Sequence, residues 1–148
     1  MQKELKVNNL LSLFDLIGEL ARRRYQIAER YYSSLRLNHT EARLLTLLDK
    51  QNDVITQDAL SNLLFVDRSN AGRAMKRLEY EGYIERYQND TDKRTNLVEL
   101  TAKGREVVAE ILKLKQTMVQ EFFGELTEEE AGQIIDLLRK VHTNETDI

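Results

Sequence analysis

Residues 7–36 place the strongest constraint on this chain. Val7, Leu10, Phe14, Ile17, Ala21, Ala28, Tyr32 and Leu35 recur at helical spacing. Leu11, Leu13, Leu16, Leu20, Ile27 and Tyr31 widen that stripe well past a single face. The pattern predicts one long helix whose apolar surface is too broad for one neighbour and must be covered from more than one side. A chain of 148 residues is one domain, or one domain plus an element that pairs with another chain. Arg22, Arg23 and Arg24 step around this helix at about 100° intervals and make no common patch.

Shorter elements follow. Asn38 and Glu41 have the spacing of a capping box, ahead of a helix carrying Ala42, Leu44, Leu45, Leu47 and Leu48. Asn52-Asp53 breaks it, and Val54-Ile55 is a short extended piece. Thr56 caps a short helix with Ala59, Leu60, Leu63 and Leu64 on one side. The next helix runs from about Asp67 to Glu81 and stops at Gly82. Its faces separate: Ala71, Ala74, Met75 and Leu78 cluster, while Ser69, Asn70, Arg73, Lys76, Arg77 and Tyr80 lie opposite. Small polar groups near the start with basic groups behind them have the chemistry of a groove-reading helix.

Tyr83–Tyr87 and Asn96–Leu100 read as two strands around a polar, turn-rich loop, a hairpin with an exposed tip but no Asn-Gly turn. Thr101 starts a second long apolar helix, to about Gly124, with Val107, Val108, Ile111, Met118, Phe122 and Phe123 among its apolar residues. Thr127 to Glu130 is a capping box for a last helix bearing Ala131, Ile134, Ile135, Leu138 and Val141, and residues 143–148 form a frayed tail. The expected fold is therefore mainly α with a small β-hairpin wing. A winged helix-turn-helix over residues 38–101 is flanked by N- and C-terminal helices within one domain, 1–148.

Composition narrows the chemistry. The absence of cysteine excludes disulfides, thiolate catalysis and cysteine-ligated metals. His39 and His142 are too few for a histidine-rich metal site, and no cofactor or metal is expected. His39 reads as an ordinary residue of a capping turn, and Glu128–Glu130 as acids suited to the positive end of their helix. No phosphate-binding glycine loop, triad or carboxylate pair stands out, so the chain does not read as an enzyme. No apolar run approaches the ~20 residues of a membrane span, and Met1–Asn9 is too polar for a signal peptide, which together predict a soluble cytoplasmic protein. The net charge of -3 conceals a gradient of +3 over residues 1–52, 0 over 53–105 and -6 over 106–148. Within the neutral middle, residues 67–77 carry a local +3 and residues 86–105 a local +2, so the positive charge gathers on the reading helix and the wing.

The chain resembles the MarR family of bacterial transcriptional regulators. The resemblance spans nearly the whole sequence and is carried by Val66-Asp67-Arg68-Ser69-Asn70-Ala71-Gly72-Arg73, by Arg77-Leu78-Glu79, and by Gly82-Tyr83-Ile84-Glu85-Arg86. Asp92-Lys93-Arg94 matches the family's Asp-x-Arg wing, and Leu100-Thr101, Lys103, Gly104 and Arg105 match the start of the following helix. Asn38 departs from the family's usual Ser or Thr but preserves capping. The resemblance implies a homodimer, its first and last two helices interlocked, that binds DNA and most often represses. It also implies a small aromatic acid as effector, bound between the dimerisation helices and the winged lobe. Arg23, Tyr25, Tyr31 and Tyr32 are candidates to line such a cleft, with dimer packing or a solvated face as the alternative for each.

For contact with bases the candidates are Ser69, Asn70, Arg73 and Arg77, since arginine pairs bidentately with guanine and asparagine with adenine. Arg68 and Lys76 suit phosphate, as does Lys93 in the wing. Arg94 suits the narrow minor groove, with Asp92 fixing its guanidinium by a charge-assisted bond. Thr56 and Gln57 stand where a helix start donates to phosphate, although Thr56 also reads as a plain N-cap. Phe122 and Phe123 read as dimer core rather than a ligand cage. Gly72, inside the reading helix, costs up to ~1 kcal/mol against alanine, and either permits close packing or is incidental. The competing reading is a winged-helix module whose basic face meets an acidic protein without sequence preference on DNA.

Overall fold

The computed structural model describes residues 2–51 and 54–141. The side chain of Val7, the Asn52-Asp53 break, His142 and the tail 143–148 lie outside the described residues. Helix α1 (Gln2–Ser33) is followed by α2 (His39–Gln51), strand β1 (Ile55–Thr56), α3 (Gln57–Leu64), α4 (Arg68–Tyr80), β2 (Ile84–Gln88), β3 (Asn96–Leu100), α5 (Ala102–Phe123) and α6 (Glu128–Leu138). The first helix ends three residues earlier than its apolar pattern suggests. Arg36 turns into the left-handed region (φ 59°), and the Leu37 N–H bonds the Tyr32 carbonyl at 3.1 Å, closing the helix and reversing the chain into α2.

Local chemistry fixes each start. The Asn38 side chain accepts the Glu41 N–H at 2.8 Å while Glu41 Oε1 accepts the Asn38 N–H at 2.9 Å. Thr56, Asp67, Thr101 and Thr127 cap α3, α4, α5 and α6 in the same manner, and the box at Thr127 and Glu130 is complete. The chain leaves α4 through Gly82 at φ 83°, a conformation that glycine adopts without strain.

The hairpin gains a third strand. β1 pairs antiparallel with β3 (Ile55↔Val98, Thr56↔Leu97), and the sheet order is β1-β3-β2. The short extended piece at Ile55 thus satisfies the outer edge of the wing's return strand rather than standing alone. Sequence periodicity does not show this, because a two-residue strand has no period.

One core joins the winged lobe to the long helices. Leu44, Leu45, Leu60, Leu64, Met75, Leu78, Ile84, Val98 and Ile111 are fully buried. They come from α2, α3, α4, the sheet and α5, and each lies on the apolar face its spacing predicts. Outside that core two surfaces are conspicuous. From Asn8 to Gln26 every residue of α1 is exposed, with Leu10 70% and Phe14 76% accessible, and α6 buries none of its residues. Exposed apolar surface on this scale marks an interaction face.

Candidate nucleic-acid interface

The N-terminal half of α4 is organised by its cap. Asp67 accepts the Asn70 N–H at 2.8 Å through Oδ1 and the Asn70 side-chain amide at 3.1 Å through Oδ2. The amide oxygen left over accepts from the Arg73 guanidinium. Spacing of three residues puts the three side chains on one helical row, so a cap acid orients an amide, which orients an arginine. Ser69, Asn70, Arg73 and Lys76 are all exposed, whereas Ala71, Ala74, Met75 and Leu78 are buried as the two-faced pattern predicts. Asp67 does not figure among the residues singled out from the sequence, although its spacing to Asn70 and Arg73 carried the signal. A Cβ on Gly72 would meet nothing within 4 Å, so close packing does not account for that glycine.

Arg68 lies 3.9 Å from Asp58 on α3, an exposed pair of the kind that contributes little. Arg77 is placed differently from its neighbours on the row. Its Nη1 donates to Glu41 Oε1 and its Nη2 to the Arg36 carbonyl, each at 2.8 Å. The base contact read for Arg77 therefore competes with two bonds inside the chain. Thr56 uses its oxygen to accept the Ala59 N–H at 3.2 Å and keeps its hydroxyl proton to donate. Gln57 Oε1 accepts from Arg86 Nη1 at 3.4 Å, which leaves its amide N–H groups free for an acceptor. Arg86 also donates twice to Glu79 on α4, at 2.8 and 3.2 Å, tying the base of the wing to the reading helix.

The wing tip lacks an Asn-Gly turn because polar side chains close it. The Asn89 N–H bonds the Thr95 carbonyl at 3.0 Å, Asn89 Oδ1 accepts from Thr91, and the Gln88 amide holds the Lys93 carbonyl at 3.0 Å. Asp92 Oδ1 accepts both the backbone N–H and Nε of Arg94 at 3.1 Å. The Arg94 side chain is 90% exposed. Its bonds, the side-chain one foremost, hold the Asp92 carboxyl below the usual range. Lys93 is exposed beside it.

A cavity of about 280 Å³ opens between α1, α2 and α5. Arg24, Arg43, Lys50 and Lys115 bring positive charge to it, and Tyr32, His39, Phe122 and Phe123 bring rings. Of the four residues expected to line such a cleft, only Tyr32 does. Tyr25 stands behind it with its ring 4.9 Å from that of His39. Arg23 is held by the Phe122 and Glu121 carbonyls at 2.9 and 3.2 Å, and Tyr31 donates to Glu121 Oε1 at 2.8 Å, so both lock α1 to α5 instead. The bond from Tyr31, with that from Arg30, holds the Glu121 carboxyl down. His39 sits in the first turn of α2, as expected, but also on the cavity wall. Its Nδ1 is buried without a hydrogen-bond partner. Burial first, then Arg43 and Arg24, depresses its pKa and favours the neutral ring. Phe122 and Phe123 line the cavity wall, their rings 4.8 Å apart and edge to face, and Phe123 stays half-exposed.

These features have parallels in known proteins. The family model of the MarR family matches residues 37–95. Multiple antibiotic resistance protein MarR of Escherichia coli is 30% identical over 135 residues, which cover 90% of this chain and 93% of that protein. Transcriptional repressor MprA of Escherichia coli is 34% identical over 98 residues, covering 66% of this chain but 56% of MprA, so the match spans little more than half of that relative. The crystal structure of a mutant of Escherichia coli MarR complexed with operator DNA superposes with a TM-score of 0.79 at 29% identity, covering 92% of this chain and 97% of that one. No helix among the described residues is long and apolar enough to cross a membrane.

Proposed function

This chain belongs to the MarR family, and from that membership we propose that it is a transcriptional regulator, a homodimeric repressor that binds duplex DNA sequence-specifically in the cytoplasm. The observation that carries the reading is Arg94, almost wholly exposed at the wing tip yet fixed in direction by Asp92. An exposed arginine held in place suits the enhanced negative potential of a narrow minor groove. The Asp67-Asn70-Arg73 row supports a reading helix whose base-contacting groups are set before DNA arrives. Residues 38–101 form the reading lobe, and the helices of 1–37 and 102–148 pair the protomers through the exposed apolar faces of α1 and α6. Two reading helices then enter successive major grooves of a pseudo-palindrome, about 34 Å apart.

Arg94→Ala should weaken binding to the tightest duplex that the wild-type protein selects from a randomised pool by roughly 10- to 100-fold, the loss of about 1–3 kcal/mol of contact. A mobility-shift titration measures it, and size-exclusion chromatography should show the oligomeric state unchanged. Wild-type affinity in the variant would remove the wing from the interface.

For an effector we propose a small aromatic carboxylate in the cavity between α1, α2 and α5. Four cations there match a carboxylate, and the rings match an aromatic body. At a hundredfold excess over its Kd such a ligand stabilises the fold by about 2.7 kcal/mol. A thermal-shift series with substituted benzoates should therefore raise Tm, and less so in Arg43→Ala. A flat series would withdraw the effector and leave DNA binding untouched.

A further inference from the structure

We infer that Arg77 is a positioning residue: it sets the angle of the reading helix against the α1–α2 connection through Glu41 and the Arg36 carbonyl, and does not itself contact DNA. The inference rests on the regulator reading above. Arg77 projects from α4 with its side chain 40% exposed, but each of its terminal nitrogens gives one bond within the chain, and these two bonds fix the plane of the guanidinium. Its carboxylate partner is a fixed point. The Glu41 side chain is 5% exposed, and the same oxygen already holds the Asn38 N–H at the start of α2. The carbonyl partner belongs to Arg36, in the left-handed turn where α1 ends. The adjacent backbone is pinned to α1 in turn, because the His39 N–H donates to Glu29 Oε1 at 2.8 Å. One guanidinium thus bridges the reading helix to the junction between the long first helix and the lobe.

A planar fork that satisfies two acceptors in fixed directions conveys orientation, which a point charge does not. Turning Arg77 toward DNA would leave the buried Glu41 carboxylate without its cation, and that cost opposes the swing. At its other flank α4 is held by Arg86, through Glu79 on the helix and Gln57 on α3. Arg86 ties α4 only to elements of the reading lobe. Arg77 ties it to the end of the helix proposed to pair the protomers, so the separation of two reading helices in a dimer depends on Arg77.

The two roles separate in a salt titration. A residue that neutralises phosphate lowers the slope of log affinity against log salt when it is removed, by about one for each contact. A positioning residue leaves the slope alone and lowers the preference for the selected sequence. The probes are the tightest duplex that the wild-type protein selects from a randomised pool and a mixed-sequence duplex of equal length. Arg77→Met and Glu41→Gln should each weaken the selected duplex by about tenfold, and the double variant should be no weaker than Arg77→Met alone. Affinity for the mixed duplex and the salt slope should stay at wild-type values, whereas Arg94→Ala should lose about one unit of slope. Arg77→Lys, which keeps the charge without the fork and serves should Arg77→Met fail to fold, should remain defective on the selected duplex alone. A reduced salt slope in Arg77→Met with a silent Glu41→Gln would overturn the inference in favour of a phosphate contact. Equal losses on both duplexes, matched by a lost folded fraction, would overturn it in favour of general stability. A wild-type protein that selects no duplex would overturn the regulator reading first, and this inference with it.

Discussion

Replacing Phe14 and Ile17 together with aspartate is expected to convert the protein to a folded monomer that no longer retains duplex DNA. Phe14 is 76% and Ile17 46% exposed, so neither side chain supports the core of its own protomer. Both lie on the stretch of α1 in which nothing is buried within the chain. If that face is the interface, two carboxylates per chain would be desolvated there without partners, at several kcal/mol. Light scattering after size exclusion should report the protomer mass, with the helical circular dichroism retained. A variant that remains dimeric would exclude this face as the interface.

Among replacements of glycine by alanine, Gly104→Ala should be the one that meets a hard clash and loses stability for it. A Cβ at that position would lie 2.1 Å from the Tyr83 carbonyl oxygen and 3.0 Å from Leu100 Cδ2. The carbonyl is backbone and cannot step aside cheaply, since it accepts the Thr101 N–H at 3.1 Å. Helix α5 and the root of the wing must separate to admit the methyl. Overpacking of this kind costs about 1–3 kcal/mol, equivalent to a Tm lower by roughly 3–10 °C for a domain of this size. A calorimetric scan measures it, and Gly72→Ala, where nothing is in the way, should leave Tm the same or slightly higher. An unchanged Tm in Gly104→Ala would mean that the junction is looser than its contacts indicate.

Much of this fold was legible because it is written in local chemistry. Capping residues at Asn38, Thr56, Thr101 and Thr127 start their helices as their spacing predicts, and the two faces of α4 separate as its periodicity requires. Asp92 and Arg94, two residues apart, meet in the folded wing as they do on the page. Contacts between distant segments left no such mark. Nothing near Arg77 in sequence points to Glu41, 36 residues away, or to the carbonyl of Arg36. Likewise the polar row of α4 made Arg77 look like Arg73, because periodicity reports which face a residue occupies and not what waits opposite it. His39 read as a turn residue because its turn is local, while the cavity it borders is assembled from three helices. Tyr31 and Arg23 share α1 with the cavity-lining Tyr32 and Arg24, yet a step of one residue, about 100° around the helix, turns each of them from the opening to α5.

The two-residue strand β1 has an effect out of proportion to its length. It is bonded to β3 on one side and runs straight into the cap of α3 on the other. The ribbon that carries Arg94 is therefore no independent flap: tilting it drags the start of the helix-turn-helix. In the proposed complex, energy gained in one groove would thus be felt in the other, and a sequence change under the wing would alter how well the adjoining half-site is gripped.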